Sequence, residues 1–218
     1  ALCTLMMPNI SACVERGDKK DLKRKVNKGI EAAGLLGIPS TLMLLPFVPL
    51  ICLLLFKQMV PISLVAVMSV NVVVSYYLML SISILNGLGK QRQVLVFAAV
   101  SELVQLALVW VLTAIPALHV YGYMLGVLLG DILRATLGFI WLHRATGTRP
   151  RLFHSFVVPA ACAAILYCCI RLLFFQFMVW GAGILAALLL SFACCALIYL
   201  FLLRLMGVHV GAYIKKMA

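Results

Sequence analysis

The feature that most constrains this chain is a series of long apolar segments separated by short polar interruptions. A helix needs about 20 apolar residues to cross the hydrocarbon core of a bilayer. Six segments reach that length, and they cover residues 32–56, 60–85, 94–115, 121–142, 153–175 and 177–203. This pattern predicts an all-α integral membrane protein with six transmembrane helices and several passes through the bilayer.

The overall composition excludes an ordinary soluble domain. The 218 residues are 65% hydrophobic and 11% charged, whereas a soluble domain is roughly half apolar and about a quarter charged. The net charge of +12 would suit a nucleic-acid partner, but the basic residues lie in the gaps between the apolar segments. We therefore expect them to face anionic membrane lipid, and we expect no nucleic-acid partner.

The basic residues also predict the orientation of the chain. If every segment crosses, fifteen of the eighteen Lys and Arg residues fall on one side, and Lys57 stands alone on the other. The side rich in Lys and Arg holds residues 16–28, 89–92 and 143–151 and the tail from residue 204. Because cytoplasmic loops are enriched in Lys and Arg, the N-terminal basic segment and the C-terminal tail are predicted to be cytoplasmic.

The first 28 residues are expected to differ from the rest. Residues 1–6 resemble the end of an apolar helix whose start is missing, so the chain is expected to be part of a longer protein. Residues 9–27 carry charges at helical spacing and predict an amphipathic helix on the cytoplasmic surface. Residues 29–218 then form the six-helix membrane domain with its short tail.

Proline and glycine mark two of the predicted helices. Pro39, Pro46 and Pro49 predict a bend in the first span, either a passive kink or a hinge, because each removes a backbone donor. In the fourth span Gly122, Gly126 and Gly130 recur every fourth residue on one face. Such a ridge of small residues predicts close packing against another helix backbone.

Three charged residues lie deep within the predicted spans, namely Glu102, Asp131 and Arg134. Each costs at least ~2.5–3.5 kcal/mol at the bilayer centre, so they are expected to face protein or water. Asp131 and Arg134 are three residues apart and can form a structural ion pair. Alternatively they line a solvated cavity, in which Arg134 binds an anionic substrate group and Glu102 or Asp131 takes a proton or ion. Polar neighbours that extend this stripe are Asn71, Ser75, Ser101 and Gln105.

Nothing in the sequence indicates an enzyme, a cofactor or a metal site. The four histidines do not cluster, no C-x-x-C pair occurs and no catalytic motif is present. Two pairs of adjacent cysteines, 168–169 and 194–195, fall on the last two predicted helices. With spans at 153–175 and 177–203, their depths differ by more than ~10 Å, which is too far for a disulfide.

Several short motifs resemble a known family in order and spacing. They are Pro8-Asn9-Ile10-Ser11, Gly17-Asp18, Gly37-Ile38-Pro39, PLICLLLF at 49–56, ILNGLGK at 84–90 and PALHVYG at 116–122. This set resembles the stage V sporulation protein B and polysaccharide-export group of the multidrug/oligosaccharidyl-lipid/polysaccharide flippase superfamily, which also holds the lipid II flippases. Asn86 and His119 stand where the family usually has Gln and Gly. Asp131 falls where the family tends to be uncharged or aromatic, so the resemblance gives it no role.

The resemblance implies a fold, a function and a partner. It implies a fourteen-helix protein of two lobes, of which this chain is the C-terminal, MATE-like lobe and the N-terminal lobe is the missing partner. The implied function is transport of a lipid-linked oligosaccharide or cell-wall precursor across the bacterial cytoplasmic membrane by alternating access, with Arg134 contacting the pyrophosphate. Two alternatives stay open, namely a cation-coupled small-molecule exporter of the MATE type and a truncated membrane remnant or scaffold without transport.

Overall fold

The computed structural model describes residues 2–147, 152–181 and 183–205, and this part of the chain consists of helices joined by short connections, with no strand. The helix bounds are α1 Leu2–Glu15, α2 Lys19–Leu44, α3 Val48–Phe56, α4 Ile62–Gly87, α5 Gln91–Thr113, α6 His119–Thr146, α7 Leu152–Val179 and α8 Ile184–Leu205.

Five of these helices are long and apolar enough to cross a membrane: α4, α5, α6, the part of α7 from Pro159 and the part of α8 up to Leu202. A sixth crossing is present if α2 and α3, which meet at an angle of 55°, count as one bent span. The all-α membrane architecture expected from the sequence is therefore confirmed.

The basic segment near the N-terminus folds differently from the prediction. The expected surface helix over residues 9–27 is wrong, because the chain turns between Glu15 and Lys19. Gly17 adopts a left-handed φ of 69°, a conformation that favours glycine and ends α1. The Asp18 carboxylate then caps α2 by accepting hydrogen bonds from the backbone N–H groups of Lys20 at 3.0 Å and Asp21 at 3.1 Å. From this cap α2 runs unbroken for 26 residues into the apolar part of the chain.

The predicted bend in the first span lies at residues 45–47. Pro39 sits inside α2 without ending it, whereas Pro46 lies in the bend and Pro49 occupies the first turn of α3. A proline in the first helical turn is favourable because its missing N–H would have no partner there.

The helices pack side by side in the spatial order α5, α6, α4, α2, α7, α8, and α1 lies against α2 and α4. The starts of α4 and α6 meet where the hydroxyls of Ser63 and Tyr121 are 2.6 Å apart. At the other end of the molecule Ser11 Oγ donates to the Gly87 carbonyl at 3.1 Å, and Lys23 approaches Gly147. The basic residues of 16–28, 90–92 and 143–144 therefore gather at this end, called the basic end below; the opposite end is called the distal end.

Two apolar cores hold this arrangement. The first joins α1, α2, α4 and α6 toward the basic end, with Ile10, Val26 and Ile84 among its most buried members. The second joins the distal part of α2 and the bend to α7 and α8, with Met43, Leu166 and Cys195 buried in it. Helix α2 thus contributes to both cores, and it is the element through which α7 packs on the other helices.

Candidate functional site

The glycine ridge of α6 lies against the backbone of α5. A Cβ atom at Gly126 would be 2.8 Å from Val109 Cα, and one at Gly130 would be 2.5 Å from Gln105 Cβ. A Cβ atom at Gly122 would overlap the carbonyl oxygen of Leu112. The three glycines therefore let the backbones of α5 and α6 approach more closely than residues with a Cβ atom would permit.

This close approach brings charged side chains together across the two helices. Arg134 follows Gly130 by one turn on α6, and its Nη2 forms an ion pair with Oε1 of Glu102 on α5. The same Nη2 lies 3.4 Å from Oε1 of Gln105. The partner of Arg134 is thus Glu102. It is not Asp131, which the i, i+3 spacing had suggested. The reason is that the glycine ridge fixes which residues of α5 lie beside Arg134, and a spacing rule within α6 does not contain that information.

Exposure distinguishes the two members of the ion pair. The side chain of Arg134 is 15% exposed, whereas that of Glu102 is 60% exposed. Glu102 lies at the middle of α5 (Gln91–Thr113), which is itself a membrane-spanning helix. A carboxylate at that depth is too costly to leave against hydrocarbon, even when one of its oxygens is paired. This face of α5 therefore requires water or another protein surface.

The ion pair lies one turn from a point where three helices meet. A Cβ atom at Gly138 of α6 would be 2.6 Å from Ser81 Oγ of α4 and 3.9 Å from Phe97 of α5. Ser101, one residue before Glu102, is fully buried, and its hydroxyl donates to the Phe97 carbonyl. Helices α4 and α5 thus close over α6 on the basic-end side of Arg134.

The other polar residues singled out in the sequence are placed as follows. Asp131 is half-buried on α6, and the described part of the chain gives it no ion pair. Asn71 and Ser75 are half-buried on α4, and the hydrogen bond and ion pair of Arg134 in the described region go to Gln105 and Glu102 and not to them. The Oδ1 atom of Asn71 and the Nε atom of Arg134 are both buried without a hydrogen-bond partner in the described region.

A second polar cluster, which sequence reasoning missed, lies at the basic end. Cys13 Sγ is 3.0 Å from Lys25 Nζ and 3.4 Å from Asp21 Oδ2, and Lys25 and Asp21 form an ion pair at 3.3 Å. The hydrogen bond with Cys13 and the pairing with Asp21 raise the pKa of Lys25. The hydrogen bond with Cys13, followed by that with Lys25, lowers the pKa of Asp21. The sequence signal for this cluster was the Gly17-Asp18 turn, which folds α1 back onto the first turns of α2.

The cysteines of the last two helices lie closer together than the sequence suggested. Cys195 is buried in the second core, and Cys169 packs against the same core. The prediction that these cysteines lie at different depths is wrong because α7 continues to Val179 and α8 begins at Ile184. Cys169 is then ten residues from the end of α7, and Cys195 is eleven residues from the start of α8, which places them at similar depth. Cys169 and Cys195 are both free thiols.

A groove opens at the bend between α2 and α3, beside α4, with a volume of about 330 Å³. Four hydroxyl-bearing residues line it. Three of them donate to a carbonyl of their own helix, Ser40 to Leu36, Thr41 to Gly37 and Ser69 to Val65, and the fourth is Tyr76. The rest of the lining is apolar, so the groove is not part of the charged site.

Among the residues that the structure describes, no group of three metal-ligating side chains converges. A comparison of the chain with protein-family models, curated proteins and solved structures found no match. The feature of the described residues that points most directly to a function is the charged face of α5 and α6.

Proposed function

We propose that this chain is the C-terminal lobe of a flippase that moves a lipid-linked oligosaccharide or cell-wall precursor across the cytoplasmic membrane by alternating access. In this proposal α5 and α6 form part of the wall of the translocation path. The observation that carries it is the ion pair between Glu102 and Arg134 in the middle of two spanning helices, with the carboxylate 60% exposed.

The first step of the reasoning is that this face meets a polar environment. Intramembrane charges face a bundle interior or a water-filled cavity, and they mark substrate or ion pathways. Between residues 95 and 111 of α5 the other exposed residues are apolar, such as Leu103, Leu106 and Trp110, and they are compatible with lipid. Glu102 is the acidic exception on this helix, so the path is proposed to run along its side of α5.

The second step concerns the substrate class. A guanidinium group presents planar N–H donors whose geometry matches phosphate oxygens. A lipid-linked sugar carries its phosphates between a polar headgroup and a hydrocarbon tail. Arg134 at mid-span is therefore suited to hold the phosphates in the path while the tail remains in the surrounding lipid.

The third step concerns the rest of the transporter. One lobe supplies only one wall of a path, so the opposite wall has to come from the N-terminal lobe that the sequence resemblance implies. The concentration of basic residues at one end of the helices supports a cytoplasmic position for that end. Rocking of two lobes would then expose the charged face alternately to the two sides.

A cation-coupled exporter is the second candidate. Glu102 is largely exposed, and Asp131 is half-buried without an ion pair in the described region. Two carboxylates within neighbouring spans would suit a cationic substrate or coupling ion better than a pyrophosphate. The experiment below therefore includes a lipophilic cation.

The test measures water access to Glu102 in the membrane. All native cysteines are replaced, and Glu102→Cys is treated with a membrane-impermeant thiol reagent in cells. The matched control is Val100→Cys, because Val100 is 50% exposed and lies two residues away, about 200° around the helix. The expected result is labelling at position 102 and not at position 100, with labelling blocked by a polyprenyl-diphosphate-linked sugar.

Other outcomes distinguish the alternatives. Protection by a lipophilic cation and not by the lipid-linked sugar would support the exporter. Equal labelling at both positions, or no labelling at either, would remove the proposed path along α5.

A further inference from the structure

Arg171 is the charged residue of α7, and the part of the chain that the structure describes gives it no ion pair. It lies twelve residues after Pro159 and eight before Val179, the two ends of the part of α7 that can cross a membrane. Its backbone is therefore about 18 Å from one end of that crossing and about 12 Å from the other. The residue is exposed, so a positive charge lies near the middle of a spanning helix on an uncovered face.

The conformation of the side chain keeps this charge deep. The Cζ atom of Arg171 lies 6.0 Å from the centre of the Tyr167 ring. Tyr167 is one turn earlier on α7, so the guanidinium is directed away from the distal end, whereas a side chain that snorkels to the distal surface would point toward it. An aromatic face attracts a cation but does not neutralise its charge. Arg171 therefore still requires an anion.

The acidic side chains of the chain itself cannot supply that anion. Glu31 precedes Met43 on α2 by twelve residues, and Met43 packs with Ile170 in the second core, so Glu31 lies about 18 Å nearer the basic end. Glu102 and Asp131 lie on α5 and α6, and α4 and α2 pack between α6 and α7. The other three of the six acidic residues lie at or beside the turn between α1 and α2 at the basic end: Glu15, Asp18 and Asp21.

We infer that the exposed face of α7 around Arg171 is a docking surface for a transmembrane helix that is not part of these 218 residues and that carries an aspartate or glutamate near the middle of the bilayer. This inference does not depend on the transport path placed along α5. The surface, called the α7 face below, consists of exposed residues at helical spacing: Ala164, Ile165, Cys168, Arg171, Leu172 and Phe175.

The depth of Arg171 favours a helix over a lipid headgroup as the source of the anion. The hydrocarbon core of a bilayer is about 30 Å thick, so lipid phosphates lie about 15 Å from its middle. A carboxylate on a transmembrane helix can be held at any depth, and intramembrane charges pair with one another in this way. The α7 face also suits a helix, because the small residues Ala164 and Cys168 are four apart and allow a close backbone approach.

A second copy of this chain is a poorer match for the α7 face. Its carboxylates at comparable depth are Glu102 and Asp131. Glu102 already pairs with Arg134, and Asp131 is half-buried on α6. The partner is therefore a different helix with a carboxylate that has no cation of its own.

The test uses the chain in dioleoylphosphatidylcholine vesicles, labelled at its amino terminus with a donor fluorophore. The probes are synthetic leucine-rich transmembrane peptides that carry an acceptor fluorophore and a single central residue, Glu, Gln or Leu. Energy transfer at rising peptide-to-lipid ratios measures association. The Glu peptide is expected to associate roughly 5- to 30-fold more tightly than the Gln peptide. A peptide with its Glu moved two turns toward one end should lose this preference, because the carboxylate no longer matches the depth of Arg171.

Variants of the chain locate the contact. Arg171→Leu should remove the preference for the Glu peptide, and Arg171→Lys should keep part of it because the charge is retained. Cys168→Trp should weaken association of the Glu peptide by filling the α7 face. Leu189→Trp is the matched control, because Leu189 is 65% exposed on the neighbouring helix α8, and it should leave association unchanged.

The remaining outcomes each overturn the inference. Equal association of the Glu and Gln peptides, or a preference that persists in Arg171→Leu, would mean that Arg171 does not select a carboxylate. Loss of the preference when phosphatidic acid is added to the vesicles would mean that Arg171 takes a lipid phosphate. Energy transfer between donor- and acceptor-labelled copies of the chain, lost in Arg171→Leu, would make a second copy the partner.

Discussion

The pair α5–α6 and the pair α7–α8 are both apolar helical hairpins with a short turn at the distal end, yet they are held together differently. In α5–α6 three glycines bring the backbones together, and an ion pair crosses between the helices. In α7–α8 the described residues form no ion pair, and side chains such as Leu166, Ile170 and Cys195 interlock in a core shared with α2. Hairpins of similar composition are thus held together in two ways, by a close backbone contact with an ion pair in α5–α6 and by apolar side-chain packing in α7–α8.

The treatment of polar groups shows the same contrast. Ser191 of α8 is fully buried, and its hydroxyl donates to the Leu188 carbonyl of the same helix at 3.0 Å. Arg171 of α7 lies 6.0 Å from the centre of the Tyr167 ring on an exposed face of that helix. Of these two hairpins, α5–α6 is the one in which, among the described residues, a charged side chain of one helix pairs with a charged side chain of the other. A polar residue in a span therefore indicates a functional site most clearly when no group of its own helix supplies its hydrogen bond or ion pair.

The largest expected effect comes from breaking the close approach of α5 and α6. Gly126→Leu would force a side chain into the backbone at Val109, so it should cost about 3 kcal/mol or more of stability. Thermal unfolding in detergent measures this loss. Gly183→Leu is the control because nothing lies within 4 Å of its Cβ position; equal destabilisation by the two substitutions would contradict the glycine contact.

The second prediction compares the arginines of the two hairpins. Arg134→Ala should weaken pyrophosphate binding by roughly 10- to 150-fold, because charge-assisted hydrogen bonds contribute about 1.5–3 kcal/mol. Arg171→Ala should leave binding unchanged, since its side chain lies on an exposed face of α7. Titration calorimetry in nanodiscs compares them, and a loss of binding in Arg171→Ala would erase the distinction between the hairpins.

The third prediction tests the register of α7 against α8. A variant that retains only Cys169 and Cys195 should form an intramolecular disulfide under mild oxidation, because both residues contact the same core. A variant that retains only Cys162 and Cys195 should not, because Cys162 lies seven residues before Cys169, about 10 Å nearer the start of α7. A mass decrease of about 2 Da on oxidation detects the bond. A bond in the Cys162/Cys195 variant and none in the Cys169/Cys195 variant would mean that the two helices pack in a different register.

The smallest effect concerns buried hydroxyls. Ser101→Ala in α5 and Ser191→Ala in α8 each remove a hydrogen bond to the residue's own helix. Each should therefore change stability by no more than about 1 kcal/mol. Unfolding curves of the two variants should nearly coincide; a much larger loss in Ser101→Ala would mean that this hydroxyl also supports the neighbouring ion pair.

The sequence was sufficient for the spans and for the bend, and it failed where a boundary or a partner depended on the fold. Long apolar runs predicted the spanning helices, and the prolines at 39, 46 and 49 predicted a bend in the first span, which the structure places at 45–47. The boundary between the last two helices was placed near Gln176 because that residue is polar, but the chain turns at Gly181, which adopts a φ of 79°. That error of a few residues is what separated Cys169 from Cys195 in the prediction.

The charged site shows a different limit. Glu102 and Arg134 were identified from their depth, because charge in a long apolar run is costly wherever it occurs, and Gln105 was identified because it falls near the same helix face as Glu102. Their pairing was not identified, because it depends on the offset between two helices. That offset is fixed by the contact of Gly122, Gly126 and Gly130 with α5.

The position of α2 between the two cores has a mechanical consequence. Its 26 residues form a rod of about 39 Å, which is clamped by α1, α4 and α6 toward the basic end and by α7 and α8 toward the bend. Because α7 and α8 meet the remaining helices chiefly through this rod, any torque between the two groups passes along it. A rotation of α7 and α8 relative to the other helices would therefore act on α2. Pro39 is buried between the parts of α2 that join the two cores, and a proline is where a helix bends most easily.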